Sequence, residues 1–198
     1  MLQKIFDWTE RYAEHKNAKR ILSLVAFVES SFFPIPPFVM IVAMLTHAKK
    51  PSWVQLAVIG TVSSVAGGVA AYFIGKFFYG YIGAPLVAFY GIQAEVAHLG
   101  TVFKDHVFAT IILASLSPLP YKVFTLSAGL FSVNLWIFIV ASIIGRGIRF
   151  FAVAYIANRY GVRAKGVMIR QQKNITKIFL VTVVLGVVYY LLRIKGIL

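Results

Sequence analysis

The stretch Glu29-Ser30-Ser31-Phe32-Phe33-Pro34-Ile35-Pro36-Pro37 decides how this chain is to be folded. It places three prolines in the middle of an apolar run, Ile21 to Ala48, in which Glu29 is the only acid. Proline has no backbone N–H, and its ring clashes with the preceding turn, so a helix does not pass through such a cluster undisturbed. Each arm beside the break holds roughly 13 residues, about 20 Å of helix, short of the ~30 Å hydrocarbon core of a bilayer. The whole run of 28 residues is long enough to cross once with a kink. Charge arbitrates. Lys19 and Arg20 stand at one end, Lys49 and Lys50 at the other. Basic residues favour the cytoplasmic side, so both ends belong on one side, and the spacing predicts a re-entrant hairpin.

Outward from the hairpin, Val54–Gly75 is a 22-residue stretch without a charge, a spanning helix that Lys76 is expected to end. Gly60, Ser64 and Gly68 recur every four residues in it, a stripe that lets another helix come close. Residues 77–105 read as an external connector, broken by Pro85 and Gly91, with an interfacial segment over 93–105. Residues 107–131 then repeat the first pattern: an apolar arm, Pro118 and Pro120, and a second arm ending at Gly129. A second spanning helix begins at Asn134 and Trp136 and runs to about Asn158.

The likeness between the halves is an internal repeat. Ser31, Pro34 and Pro36 match Ser115, Pro118 and Pro120 at an offset of 84, while Trp53, Ala71, Tyr72 and Lys76 match Trp136, Ala154, Tyr155 and Arg159 at 83. One crossing separates the two hairpins, so the second enters from the opposite side. The fold expected is an all-α integral membrane protein, an inverted repeat of re-entrant hairpin plus transmembrane helix, the arrangement in which transporters place a site near the midplane. The competing reading is that the prolines merely kink two ordinary spanning helices. The single membrane domain then divides into an N-terminal amphipathic helix at 1–20, repeat 1 at 21–76, the connector at 77–105, repeat 2 at 106–160, a basic cytoplasmic loop at 161–177 and a last C-terminal transmembrane helix at 178–194.

Composition excludes other classes. Hydrophobic residues are 60% and charged residues 13% of the 198, too apolar for the surface of a soluble domain of this size. The net charge of +14 lies at the ends of apolar runs, which suits anionic headgroups rather than nucleic acid. There is no cysteine. The four histidines are scattered with no metal-ligand spacing, and no nucleophile elbow or phosphate loop occurs, so neither a metal, a cofactor nor an enzymatic activity is expected.

The residues left to carry chemistry are few. An acid within an apolar run is costly and faces a partner or a cavity, so Glu29 is the candidate for proton coupling, or else bonds backbone freed by the prolines. Arg146 and Arg149, three apart on the second spanning helix, point from one face and need an anion: a substrate phosphate, which guanidinium binds bidentately, or Glu29 itself. Lys122, just past the second proline pair, either reaches the same phosphate or snorkels to an interface.

These residues also carry a family likeness. Glu29 through Pro36 resembles the E-x(4)-P-x-P signature of the DedA membrane proteins, also called the SNARE-associated Golgi or VTT family. Gly68, Tyr72, Gly75 and Lys76 resemble its G-x(3)-Y-x(2)-G-[KR] motif, read here as helix packing. Ser117-Pro118-Leu119-Pro120-Tyr121-Lys122 through Gly129 resembles its second hairpin in the YqaA-like form, and Asn134 to Gly145 the helix that follows. The resemblance covers about residues 20–160. It implies two inverted re-entrant hairpins, Glu29 as the key acid, and movement of lipids such as undecaprenyl phosphate across the bacterial inner membrane, driven by protons. The family's second hairpin usually has two arginines; here Lys122 stands for one, and the other position, near Ser115 or Leu116, is uncharged. A further acid after the first hairpin is also missing. Arg146 and Arg149 are read as compensating.

The expectation is therefore a flippase or scramblase for a phosphate-bearing lipid, with Lys122, Arg146 and Arg149 on the phosphate and Glu29 titrating. Its partners are that lipid and protons, homo-oligomerisation is left open, and no nucleic acid is expected. A proton-coupled carrier of a small solute or ion, a lipid-phosphate enzyme and a non-transporting envelope organiser are the alternatives.

Overall fold

Local chemistry sets the ends of two long helices. The Ser52 hydroxyl accepts from the Gln55 amide and starts one at Trp53; the Asn134 side chain accepts from Trp136 and Ile137 and starts the other at Leu135. The computed structural model describes residues 12–13, 15–31, 36–46, 51–117 and 121–161, and every regular element among them is helical. In chain order these are α1 (Ala18–Ser31), α2 (Pro37–Thr46), α3 (Trp53–Phe78), α4 (Ala84–Tyr90), α5 (Gln93–Asp105), α6 (Val107–Leu116), α7 (Tyr121–Leu130) and α8 (Leu135–Tyr160). Pro34, Pro118 and Pro120 lie outside the described residues, as do most of the expected N-terminal helix, the basic loop and the last transmembrane helix. Residues 15–17 form a turn, and α1 starts at Ala18, ahead of the arm expected from 21.

The spanning helix does not end at Lys76, and Pro85 does not break the connector. Helical structure continues for 38 residues, Trp53–Tyr90, through a π turn at Tyr79–Gly83. In that turn the Ala84 amide donates to the Tyr79 carbonyl, five residues back. The widened turn lies just before Pro85, where an ordinary helix would be missing a donor and crowded by the ring. Gly83 lets the Tyr79 ring lie against this turn, because a Cβ there would stand 2.7 Å from it. Gly91, with a left-handed φ of 67°, is where the helix stops. The segment expected to be interfacial forms α5, which meets α6 at a bend of 81°. Among the described residues, two helices are long and apolar enough to cross a membrane, and a third if that bent pair counts as one span.

Packing follows small residues, as it must in lipid, where apolar side chains gain little from leaving the solvent. Lys19 meets Gln55, Ser23 meets Ser63 and Ser31 meets Gly67, so α1 and α3 run parallel. The chain leaves α1 beside Gly67 and enters α3 at Trp53, one helix length of about 21 Å back. The segment between must return that distance, and α2 lies in it. α6 runs parallel to α8 in the same way, with Gly145 against Ile112 and Ser115. α7 lies along α3, where Gly75 faces the Leu126 carbonyl and Gly129 the Tyr72 carbonyl. α2 packs on α8. The long helices are antiparallel: Trp53 stacks edge-on against Tyr155, Gly60 faces Phe150, and Tyr72 lies on Phe138. Two apolar clusters form the core. One gathers Leu22, Met40, Leu56 and Phe150; the other gathers Tyr72, Ile111, Tyr121 and Phe138. The polar residues lie between them.

Candidate functional site

Ser64 and Arg146 each stand eleven residues after the first residue of a 26-residue helix, α3 and α8 respectively. Because those helices are antiparallel, the two positions meet at mid-length. Arg146 is 2% exposed there. Its Nε donates to Ser64 Oγ, and its Nη2 donates to Glu29 Oε2 and, at 2.9 Å, to Ser30 Oγ. Ser30 and Ser64 share a hydroxyl–hydroxyl bond of 2.6 Å, and Ser30 also donates to Glu29 at 3.2 Å. The guanidinium carbon lies 4.6 Å from the centre of the Tyr121 ring and 5.3 Å from that of Phe150. Tyr121 Oη in turn donates to Ser142 Oγ at 2.6 Å.

A cation this deep is tolerable only when paired and fully hydrogen-bonded. The network meets that condition: among the described residues no buried side-chain nitrogen or oxygen lacks a partner. Ring faces add attraction for the flat guanidinium, which lysine would use less well. Glu29 is less enclosed, its side chain 23% exposed, so one face of the carboxylate stays open while the other is held. Ser31, the next residue, donates to the Phe27 and Gly67 carbonyls at 2.8 and 3.0 Å and pins the end of α1 to α3.

Arg149 serves the other hairpin. Its Nη1 donates to the carbonyls of Ser115 and Ser117, at 3.2 and 3.4 Å, at the C-terminal end of α6. A helix leaves its last carbonyls unpaired, and a cation there also suits the dipole. Ser117 is extended (ψ 166°), as the residue before a proline must be, so α6 cannot continue to satisfy them. The two arginines therefore divide the work: Arg146 holds the end of α1, Arg149 the end of α6.

Lys122 is half-buried on the first turn of α7 and makes no hydrogen bond or ion pair with Glu29, Arg146 or Arg149. Pro36 directly precedes α2, whose first residue is Pro37, a position where the missing N–H costs nothing. In the packing motif, Gly68 lies under Tyr121, Tyr72 Oη donates to the Val133 carbonyl at 2.7 Å, and Gly75 touches the α7 backbone. Lys76 is exposed. No group of three His, Asp or Glu able to hold a metal occurs among the described residues.

Sequence reasoning singled out Glu29 and Arg146 but not the hydroxyls that join them. The sequence marks Ser64 only as a small packing residue and gives Ser30, Tyr121 and Ser142 no individual role. The available signal was a hydroxyl in a run otherwise apolar, which in lipid has to find a partner.

Compared with known proteins, the chain matches the VTT domain over residues 33–159. It is 33% identical over 186 residues to an uncharacterized protein of Haemophilus influenzae, covering 94% of each chain. It is 29% identical over 187 residues to an uncharacterized protein of Histophilus somni, covering 94% of this chain and 95% of that one. No solved structure matches it.

Proposed function

The chain belongs to the VTT-domain (DedA) family of membrane proteins, and on that premise we propose that it carries a phosphate-bearing lipid, a polyprenyl phosphate or a phospholipid, across the bacterial cytoplasmic membrane. The architecture proposed is an inverted pair of re-entrant hairpins, α1–α2 and α6–α7, each followed by a spanning helix. What supports it is the exchange of partners. Within each half the first arm packs on its own long helix, and the second arm packs on the long helix of the other half. The antiparallel α3 and α8 give the two halves opposite directions. The proline-bearing Ser117–Lys122 stretch favours the YqaA-like branch.

One observation carries the reading: a buried guanidinium held where the hairpins meet by a single, partly open carboxylate. Guanidinium accepts a phosphate through the same parallel N–H pairs that it gives a carboxylate. In the state described, Glu29 occupies Arg146. A proton arriving on Glu29 cancels its charge and frees Arg146 to take the headgroup. Loss of that proton restores the ion pair and expels the headgroup. Arg149, three residues on, and Lys122, on the opposing arm, add positive charge along the phosphate's path. No bond of the lipid is made or broken, and its chains stay in the bilayer.

The test is reconstitution in liposomes with labelled polyprenyl phosphate or phospholipid. Wild type should translocate the label with a pH-dependent rate. Arg146→Ala should fall at least tenfold, the cost of losing one charged hydrogen-bonding partner. Glu29→Gln should lose the pH dependence. Equal translocation by all three proteins ends the proposal, and proton-coupled solute uptake without lipid movement would favour a solute carrier.

A further inference from the structure

A second polar feature lies outside the Glu29–Arg146 network. Between α1 and the first half of α3 is a groove of about 450 Å³, with Lys19 and Arg20 on one wall and Ser63, Val58 and Val62 on the other. Lys19 and Arg20 are both exposed. Lys19 gives one hydrogen to Gln55 Oε1 at 2.8 Å, a neutral partner, and pairs with no acid among the described residues. Among the described residues, Arg20 forms no hydrogen bond or ion pair and no acidic residue lines the groove. One turn along α1, Ser23 and Ser63 share a hydroxyl–hydroxyl bond of 2.7 Å. Val58 and Val62, 45% and 63% exposed, begin an i, i+4 row on α3 that continues to the exposed Ala66.

This order of groups is that of a phospholipid. Two cations stand where a phosphate lies, and two hydroxyls stand about 6 Å further along the helix, where the glycerol esters follow. The apolar row starts at the level of the cations with Val58 and passes the hydroxyls, and its far end, Val62 and Ala66, is open to the bilayer for an acyl chain. A free phosphate would use only the first of these three. The geometry points to a resident binding site for an anionic phospholipid, its headgroup on Lys19 and Arg20, its ester region at Ser23 and Ser63, and one chain along Val62 and Ala66. Unpaired basic residues near a membrane surface draw anionic lipids in just this way. The site stands on the groove alone and holds whether or not the protein transports lipid.

Native mass spectrometry tests it on the full chain purified in neutral detergent, with phosphatidylglycerol, phosphatidylcholine or inorganic phosphate added. Wild type should retain phosphatidylglycerol about thirtyfold more strongly than phosphatidylcholine, and Lys19→Gln/Arg20→Gln should abolish that preference. Arg20→Gln alone, at an exposed position, should lower it about fivefold. Val58→Trp, which fills the groove and leaves the cations in place, should weaken phosphatidylglycerol binding about tenfold. Melting temperatures within a few degrees of wild type check that the variants are folded. The inference is overturned by any of three results: a preference unchanged in the double variant, unchanged binding in Val58→Trp, or displacement of phosphatidylglycerol by an equal concentration of inorganic phosphate. If translocation fails in liposomes while this binding persists, only the transport reading falls.

Discussion

Arg146→Met should be the most damaging single substitution in the described part of the chain, and Glu29→Gln should rescue it. The methionine removes the donors to Ser64, Ser30 and Glu29 and both ring contacts. It leaves the Glu29 carboxylate with Ser30 as its remaining donor. Breaking a buried pair from one side typically costs about 3–5 kcal/mol, because the surviving charge is stranded. Glu29→Gln alone should cost less, about 1–3 kcal/mol, since the amide oxygen still accepts from Arg146 and the carboxylate position is partly open. With both changed there is no stranded charge, so the double variant should be at least about 2 kcal/mol more stable than the sum of the singles allows. Unfolding free energies are measured by titrating SDS into neutral micelles. With Trp8 and Trp136 replaced by Phe in every variant, Trp53 fluorescence follows the separation of α3 from α8, because the indole packs edge-on against Phe151 and Tyr155. If the two losses simply add, to within about 0.5 kcal/mol, the pair is not what holds the centre together.

Gly129→Ala would drive a methyl into the Tyr72 carbonyl and should cost at least about 2–3 kcal/mol in the same titration, whereas Gly80→Ala, with open space around it, should change stability by no more than about 1 kcal/mol. Tyr121→Phe keeps the ring over Arg146 but loses the bond to Ser142, and should cost about 1 kcal/mol; a loss as large as that of Arg146→Met would mean that the hydroxyl, not the ring, is the important part. Asn134→Ala removes both cap bonds of α8 and should cost about 1 kcal/mol in the same titration, with total helix content by circular dichroism nearly unchanged.

The membrane class, helix starts within a residue of those at Trp53 and Leu135, and Glu29 as one of two candidate partners for Arg146 were legible because each rests on a strong local signal. An uncharged run and an ion in lipid both announce themselves in one dimension. Arg149 was harder. A cation in an apolar helix demands an anion or a dipole, and sequence does not say that the dipole is the frayed end of α6. Pro85 misled for a physical reason: proline breaks α-helical hydrogen bonding, but a π turn shifts the pairing by one residue before the ring arrives. Gly67 escaped notice because its value lies in the Phe27 carbonyl it meets, a partner 40 positions away in the chain.

The glycines also mark where the molecule can part. α1 and α7 touch α3 backbone to backbone, at Gly67, Gly75 and Gly129, and α6 touches α8 almost as closely at Gly145. Such seams have no slack, so α1, α3 and α7 form one shell and α6 and α8 another. Across the boundary the contacts are side chains that turn: the Phe150 ring over Gly60, Trp53 on Tyr155, and the Arg146 clasp. The Arg146 clasp, which ties Ser64, Ser30 and Glu29 of the first shell to α8 of the second, is the polar fastening among those contacts.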